Sequence, residues 1–284
     1  MAEGDPFPSI SEAEARGETA AIYADIRHTL ALAQVNLLWR SLAAIPEALP
    51  WAWGSVKPLH TSGRAAMAAT SLRESLTLPQ VRAIRQADLR ANGLTAEDER
   101  EIVRTVASYS SANLLNAVSF AALLSMPVGE DGAVVSQLPA RTEDSDPAMS
   151  GRKALPSLLP LEAMAPDTAQ RVRQVSRLGC DPQAKEVQVS LPRQLAHWPA
   201  FLALWLAAFA DAEQDGSLRR TVTLAVEAVQ AEGARLAQGS DALAPPSDAT
   251  AQARAQAVID AIVPGPIGRM LVLVESLLSA LEQR

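Results

Sequence analysis

Two asparagines interrupt an otherwise apolar helical stripe. Ile102, Val106, Tyr109, Asn113, Asn116, Phe120 and Leu124 step by three or four, which places them on one face of a helix. A buried amide with no partner costs ~1–3 kcal/mol. Each asparagine must therefore meet another side chain or a ligand, and the residues alone leave both readings open. A similar stretch later in the chain carries Ile267 and Met270 at the equivalent places. One copy of the motif is polar and the other greasy, an asymmetry that suits a small amphipathic ligand. Asn36 and Trp39 make a comparable pair, standing opposite Val189 and Pro192, which flank Ser190 and Leu191. A lone Trp such as Trp39 more often fills a core than lines a pocket.

Other reactive residue types read as structural. His60-Thr61-Ser62-Gly63 offers two hydroxyls whose commoner use is helix capping. His197 precedes Trp198-Pro199 and is expected to cap a helix or face solvent. Arg40 and Arg193 occupy equivalent places and are expected to pair with acids or helix carbonyls. Cys180 is the one cysteine; it lies in a Gly-Cys-Asp-Pro turn and reads as an inert thiol, with no intrachain disulfide available. The three histidines are scattered, and neither HExxH nor CxxC occurs, so no metal is expected. There is no glycine-rich phosphate loop and no Gly-x-Ser-x-Gly elbow.

The elements that must hold these residues come in two sets. Arg40-Ser41-Leu42-Ala43 through Pro46 and Leu49 recurs as Arg193-Gln194-Leu195-Ala196 through Pro199 and Leu202, an offset of 153 (193 minus 40). Asn113 through Ser125 lies over Ile267 through Ser279 at 154 (279 minus 125), with Leu-Leu-Ser matching at the end. Such self-similarity marks a duplicated unit. The expected division is a first helical repeat over 1–126, a connector over 127–160 and a second repeat over 161–284. Ala and Leu dominate and β-branched residues are sparse, which favours helix. The fold expected is all-α, two tandem helical repeats forming a pseudo-twofold body with a pocket between them. Ser9 and Glu12 have capping-box spacing, Thr95 and Asp98 cap the long helix, and Pro46 and Pro199 start helices. Pro264-Gly265-Pro266 should bend the last helix where its partner runs straight.

A net charge of −7 without a basic run argues against nucleic acid. The stretch from Pro199 to Ala210 is too short to cross a bilayer, and the first residues lack the apolar core of a signal peptide. A cytoplasmic protein with no membrane partner is expected.

Tyr23-Ala24-Asp25-Ile26-Arg27-His28-Thr29-Leu30, Val35-Asn36-Leu37-Leu38-Trp39-Arg40 and the second Arg-x-Leu-Ala-x-Trp-Pro motif resemble the group I 2-haloacid dehalogenases. The resemblance covers most of the chain, and its motifs are mostly packing motifs. It implies an all-α pseudo-dimer that needs no cofactor. An aspartate in such enzymes activates the water that displaces halide from a 2-halo carboxylic acid. By position, Asn36, Trp39 and Asn116 look like pocket lining, Ser190 like a carboxylate contact, and Ile267 and Met270 like the opposite wall. The family's aspartate position falls on Leu191, leaving the catalytic group unassigned; the nearest acids are Asp181 and Glu186. The resemblance implies a small carboxylic acid as ligand and admits a homodimer. A non-catalytic small-acid binder, or an enzyme repurposed to another reaction, is the alternative.

Overall fold

The structure is a computed structural model that describes residues 8–127, 154–181, 183, 189–240 and 244–282. All regular secondary structure among these residues is helical. Glu186 and most of the expected connector lie outside the described residues. The first half contains α1 (Gly17–Leu30), α2 (Leu37–Ala43), α3 (Ala48–Thr61), α4 (Arg64–Ser75), α5 (Gln86–Ala91) and α6 (Ala96–Ser125). The second half contains α7 (Pro166–Arg177), α8 (Ser190–Leu195), α9 (Pro199–Gln214), α10 (Ser217–Ala237), α11 (Ala249–Ile262) and α12 (Gly268–Glu282).

Local sequence explains where these helices start and stop. Thr95 and Asp98 form a reciprocal capping box at the start of α6, satisfying donors that the helix cannot. Pro199 opens α9, where its missing N–H costs nothing. Pro46 does not open α3; it lies two residues earlier, and Glu47 at φ 60° makes the join. The N-terminal capping contact forms between Ser11 and Glu14, not Ser9 and Glu12. Glu12 instead accepts from the Val35 backbone at 2.7 Å and pairs with Arg27 at 3.1 Å. That carboxylate ties the N-terminal segment to the loop entering α2.

The long helix α6 runs unbroken for 30 residues. The stretch at the corresponding offset in the second half is interrupted by a π-helical turn over Val263–Ile267, between α11 and α12. Pro264 and Pro266 remove two N–H donors there, and one wide turn accommodates the loss. Ala249–Glu282 is apolar and long enough to cross a membrane, yet 61% of its most apolar window is buried within the protein. It serves as a core helix.

Two apolar cores form, and each draws on both halves of the sequence. The first joins α1 to α4 with the C-terminal half of α6, the end of α10, and α11. The second joins α7, α8 and α9 with Ile102 and Val106 of α6, the start of α10, and α12. Helices α6 and α10 thus run through both. They approach closely at Gly233, where an added Cβ would come within 2.3 Å of the Ala121 Cβ.

Candidate functional site

Four elements converge on one cavity of about 50 Å³. Asn36 and Leu37 enter from the start of α2, and Tyr109 and Asn113 from the middle of α6. Val189, Ser190 and Leu191 come from the start of α8, and Ile262, Pro266, Ile267 and Met270 from the π turn and its flanks. The lining is paired by sequence offset: Asn36 with Val189, Leu37 with Ser190, Asn113 with Ile267. The two walls differ in chemistry, amides and a phenol facing aliphatic side chains and a single serine.

Five sequence-derived site residues therefore meet here: Asn36, Ser190, Leu191, Ile267 and Met270. Trp39 and Asn116 do not line the cavity. The Trp39 Nε1 donates to Asn116 Oδ1 at 2.8 Å, and Asn116 Nδ2 donates to the Ala112 carbonyl at 2.8 Å. Both side chains are fully buried. Trp39 lies 4.3 Å from the Phe120 ring centroid and edge-on to Trp53 at 5.6 Å. That amide is satisfied by the core itself.

Asn113 is different. It is 4% exposed, and its Nδ2 has no hydrogen-bond partner. Asn36 is anchored by capping: its Oδ1 accepts from Leu38 N at 2.9 Å. At the equivalent start of α8, Val189 provides no side-chain cap. One helix start is thus closed by its own side chain, and the other lacks such a closure beside the cavity.

A polar cluster backs the cavity. Gln34 Nε2 donates to the Tyr109 hydroxyl at 2.7 Å, and the Ser190 side chain is the second partner of that hydroxyl. Gln194 Nε2 donates to Gln34 Oε1 at 3.2 Å and to the Pro156 carbonyl at 3.0 Å. Gln194 is 1% exposed, and its Oε1 has no partner. Burial pushes the Tyr109 phenol well above its usual range, while its two hydrogen bonds and the charges of Arg40 and Arg193 pull the other way. The phenol stays protonated at neutral pH and can donate a proton in a hydrogen bond, but it is no base. The Arg193 Nε donates to the Leu159 carbonyl at 2.9 Å, a helix-external carbonyl. The Arg40 Nε is buried and has no partner. Neither arginine has a carboxylate at ion-pair distance among the described residues. Among the described residues no acid holds these guanidiniums; a backbone carbonyl holds Arg193, one of the two partner types expected.

No carboxylate lines the cavity among the described residues. Leu191 is fully buried against it, and Asp181 is exposed. Sequence reading passed over Gln34 and Gln194. Gln194 had a signal: a long amide between Leu191 and Leu195, inside an apolar motif. Gln34 had none. Tyr109 stood on the amide stripe but was not singled out. His197 is exposed, with Nε2 3.0 Å from the Ser157 carbonyl oxygen. Cys180 is free.

A second, smaller cavity of about 30 Å³ shares Asn36, Tyr109 and Asn113 with the first. Leu32, Ala33, Gln34, Ser108, Ala112 and Leu155 complete its walls.

With this geometry in hand, the relatives can be compared. No protein-family model matches the chain. Over 125 residues, 41% of this chain, it is 29% identical to an (R)-2-haloacid dehalogenase of Pseudomonas putida; the match spans 42% of that protein. Three solved structures share the fold. Two are D-2-haloacid dehalogenase mutants, one of them in complex with D-2-CPA, and the third is a D-2-haloacid dehalogenase with L-LA. Their TM-scores are 0.70 for the mutant complex, 0.71 for the other mutant and 0.68 for the L-LA complex. Each is 16% identical and covers 98% of this chain; the chain spans 96–97% of theirs. The chain is a sequence relative of a 2-haloacid dehalogenase and has the all-α fold of that group.

Proposed function

We propose that this protein is a divergent relative of the 2-haloacid dehalogenases whose cavity takes a small 2-substituted carboxylic acid. One observation carries the reading. Positions that the family resemblance assigns to the pocket, drawn from sequence regions more than 150 residues apart (189 minus 36 is 153), line a single cavity. The polar wall of Asn36, Tyr109 and Asn113 can donate to a carboxylate or to a polar 2-substituent. The Ser190 side chain, hydrogen-bonded to the Tyr109 hydroxyl, adds a polar group beside the aliphatic wall. The aliphatic wall of Ile262, Ile267 and Met270 suits the hydrocarbon end.

Hydrolysis in this cavity would replace the 2-halide by water oxygen. The halide would leave with the bonding electron pair, and one proton would pass from water to a base. Leu191 cannot take that proton, and the protonated Tyr109 cannot either. That gap favours the second reading, a small-acid binder or an enzyme of another reaction type. The decisive measurement is chloride release from each enantiomer of 2-chloropropionate, run beside thermal stabilisation by the same acid. The binding reading expects stabilisation without release. Release by the unaltered chain would overturn it and reinstate hydrolysis. Leu191→Asp should not by itself bring full activity, because the water must also be positioned. Rapid release by that single variant would count against this account.

A further inference from the structure

We propose that Gln194 is a positioning residue: it carries a chain of hydrogen bonds, set in direction by a strap over residues 154–160, that leaves the Tyr109 proton free for an acid in the larger cavity. The proposal rests on the acid reading of that cavity and deepens it, by naming what aims its phenol.

The strap belongs to no helix, and side chains hold four of its carbonyls. Arg104 Nη2 donates to Ala154 at 2.9 Å, Gln194 Nε2 to Pro156 at 3.0 Å and Arg193 Nε to Leu159 at 2.9 Å. His197 Nε2 lies 3.0 Å from the Ser157 carbonyl oxygen. Arg193, Gln194 and His197 lie on or just after α8, whose first turn lines the larger cavity. Leu155 of the strap lines the smaller cavity, which shares Tyr109 with the larger.

The direction of the chain follows from the strap. A backbone carbonyl can only accept, so Pro156 holds the nitrogen of the Gln194 amide against itself. The same nitrogen donates to Gln34 Oε1 at 3.2 Å. With its oxygen engaged, Gln34 turns Nε2 to the Tyr109 hydroxyl at 2.7 Å. The phenol oxygen therefore accepts, and its own proton is left for the Ser190 side chain or for a bound acid. Gln194 Oε1 stays buried without a partner in this setting. The opposite setting is worse, because it would press that oxygen against those of Pro156 and Gln34. Once the strap lifts, that constraint is gone. Both amides can then turn over, and Gln34 can offer its oxygen to the phenol, drawing off the proton that an acid needs.

The test uses the whole protein. Tyr23 and Tyr109 are its two tyrosines, so isotope labelling at tyrosine Cζ gives two NMR resonances, with Tyr23 as the internal reference. Gln194→Met keeps the reach of the side chain and removes the amide. It should shift the Tyr109 resonance and leave that of Tyr23 in place. Thermolysin cuts at Leu155, Leu158 and Leu159, read by mass spectrometry, should quicken about two- to tenfold, the size of one lost hydrogen bond. A second variant, Arg104→Ala with His197→Ala, releases the strap by side chains that line neither cavity and lie outside both apolar cores. It should move the Tyr109 resonance in the same sense. A Tyr109 resonance unmoved in either variant overturns the proposal, and so do strap cuts that Gln194→Met leaves unchanged. Titrated with 2-chloropropionate, both variants should bind about two- to tenfold more weakly than the parent; equal affinity also overturns it. If the parent itself gives no melting or resonance response to 2-chloropropionate, the acid reading falls, and the ligand-free comparison still decides whether Gln194 and the strap aim the phenol.

Discussion

Under the proposed function, the two asparagines of α6 separate binding from folding. They are three residues apart, so they differ by about 60° around the helix and about 4.5 Å along it. That suffices to turn Asn113 toward the cavities and Asn116 toward the Trp39 indole. Sequence periodicity placed both on one stripe but could not resolve 60°, which is why Asn116 was expected in the pocket. Asn116→Leu should cost about 1–3 kcal/mol of stability by stranding the Trp39 N–H, with stabilisation by 2-chloropropionate largely retained. Asn113→Leu should reverse that pattern, leaving urea stability within about 1 kcal/mol or raising it, while ligand stabilisation falls. Equal behaviour of the two variants in paired urea and ligand melts would refute the division. His60 supplies a pH dependence. Burial against the Trp53 ring and Ser119, whose hydroxyl lies 2.8 Å from Nε2, lowers its pKa to about 4 from 6.5. The folded state thus favours the neutral ring. Its contribution is complete above pH 6.5 and is lost as pH falls from 6.5 toward 4, by up to ~3 kcal/mol. Urea midpoints between pH 7 and 4.5 should fall more steeply for the parent than for His60→Gln.

At the level of elements, turn and cap chemistry was largely legible, and close helix approach was not. Thr95, Asp98 and Pro199 act where their types predict, and Pro264-Gly265-Pro266 falls in the π-helical turn that interrupts the last helix. Ser9 and Glu12 misled because Ser11 and Glu14 offer the same spacing two residues later, and Glu12 is engaged by Val35. A glycine inside a helix is by itself a weak point, and Gly233 lies within α10. Its role is set by Ala121 on a partner 112 positions away (233 minus 121), which no local pattern reveals. Gly233→Ala gains about 1 kcal/mol of helix propensity in isolation. Here the clash with the α6 backbone should dominate, for a net loss of about 1–3 kcal/mol. Chemical denaturation reads the sign: a stabilised variant would mean that α6 and α10 are not locked at this crossing.

For the molecule as a whole, the all-α fold was visible in composition and period, and the offset between similar segments pointed to Asn36, Ser190 and Ile267, which line one cavity. The sharing of cores was not, because a repeat boundary in sequence says nothing about which neighbour each helix chooses. Helix α6 begins in the core of the second half and ends in that of the first, while α11 and α12 do the reverse. The halves therefore clasp one another like linked hands. Residues 1–127 and 154–284, produced as two chains, should each aggregate alone yet co-purify as a helical heterodimer when made together. Size-exclusion chromatography decides it, and two well-behaved monomers would contradict the clasp. On the proposed reading such a split molecule would bind a small acid only when reassembled, so ligand binding would report the meeting of two fragments.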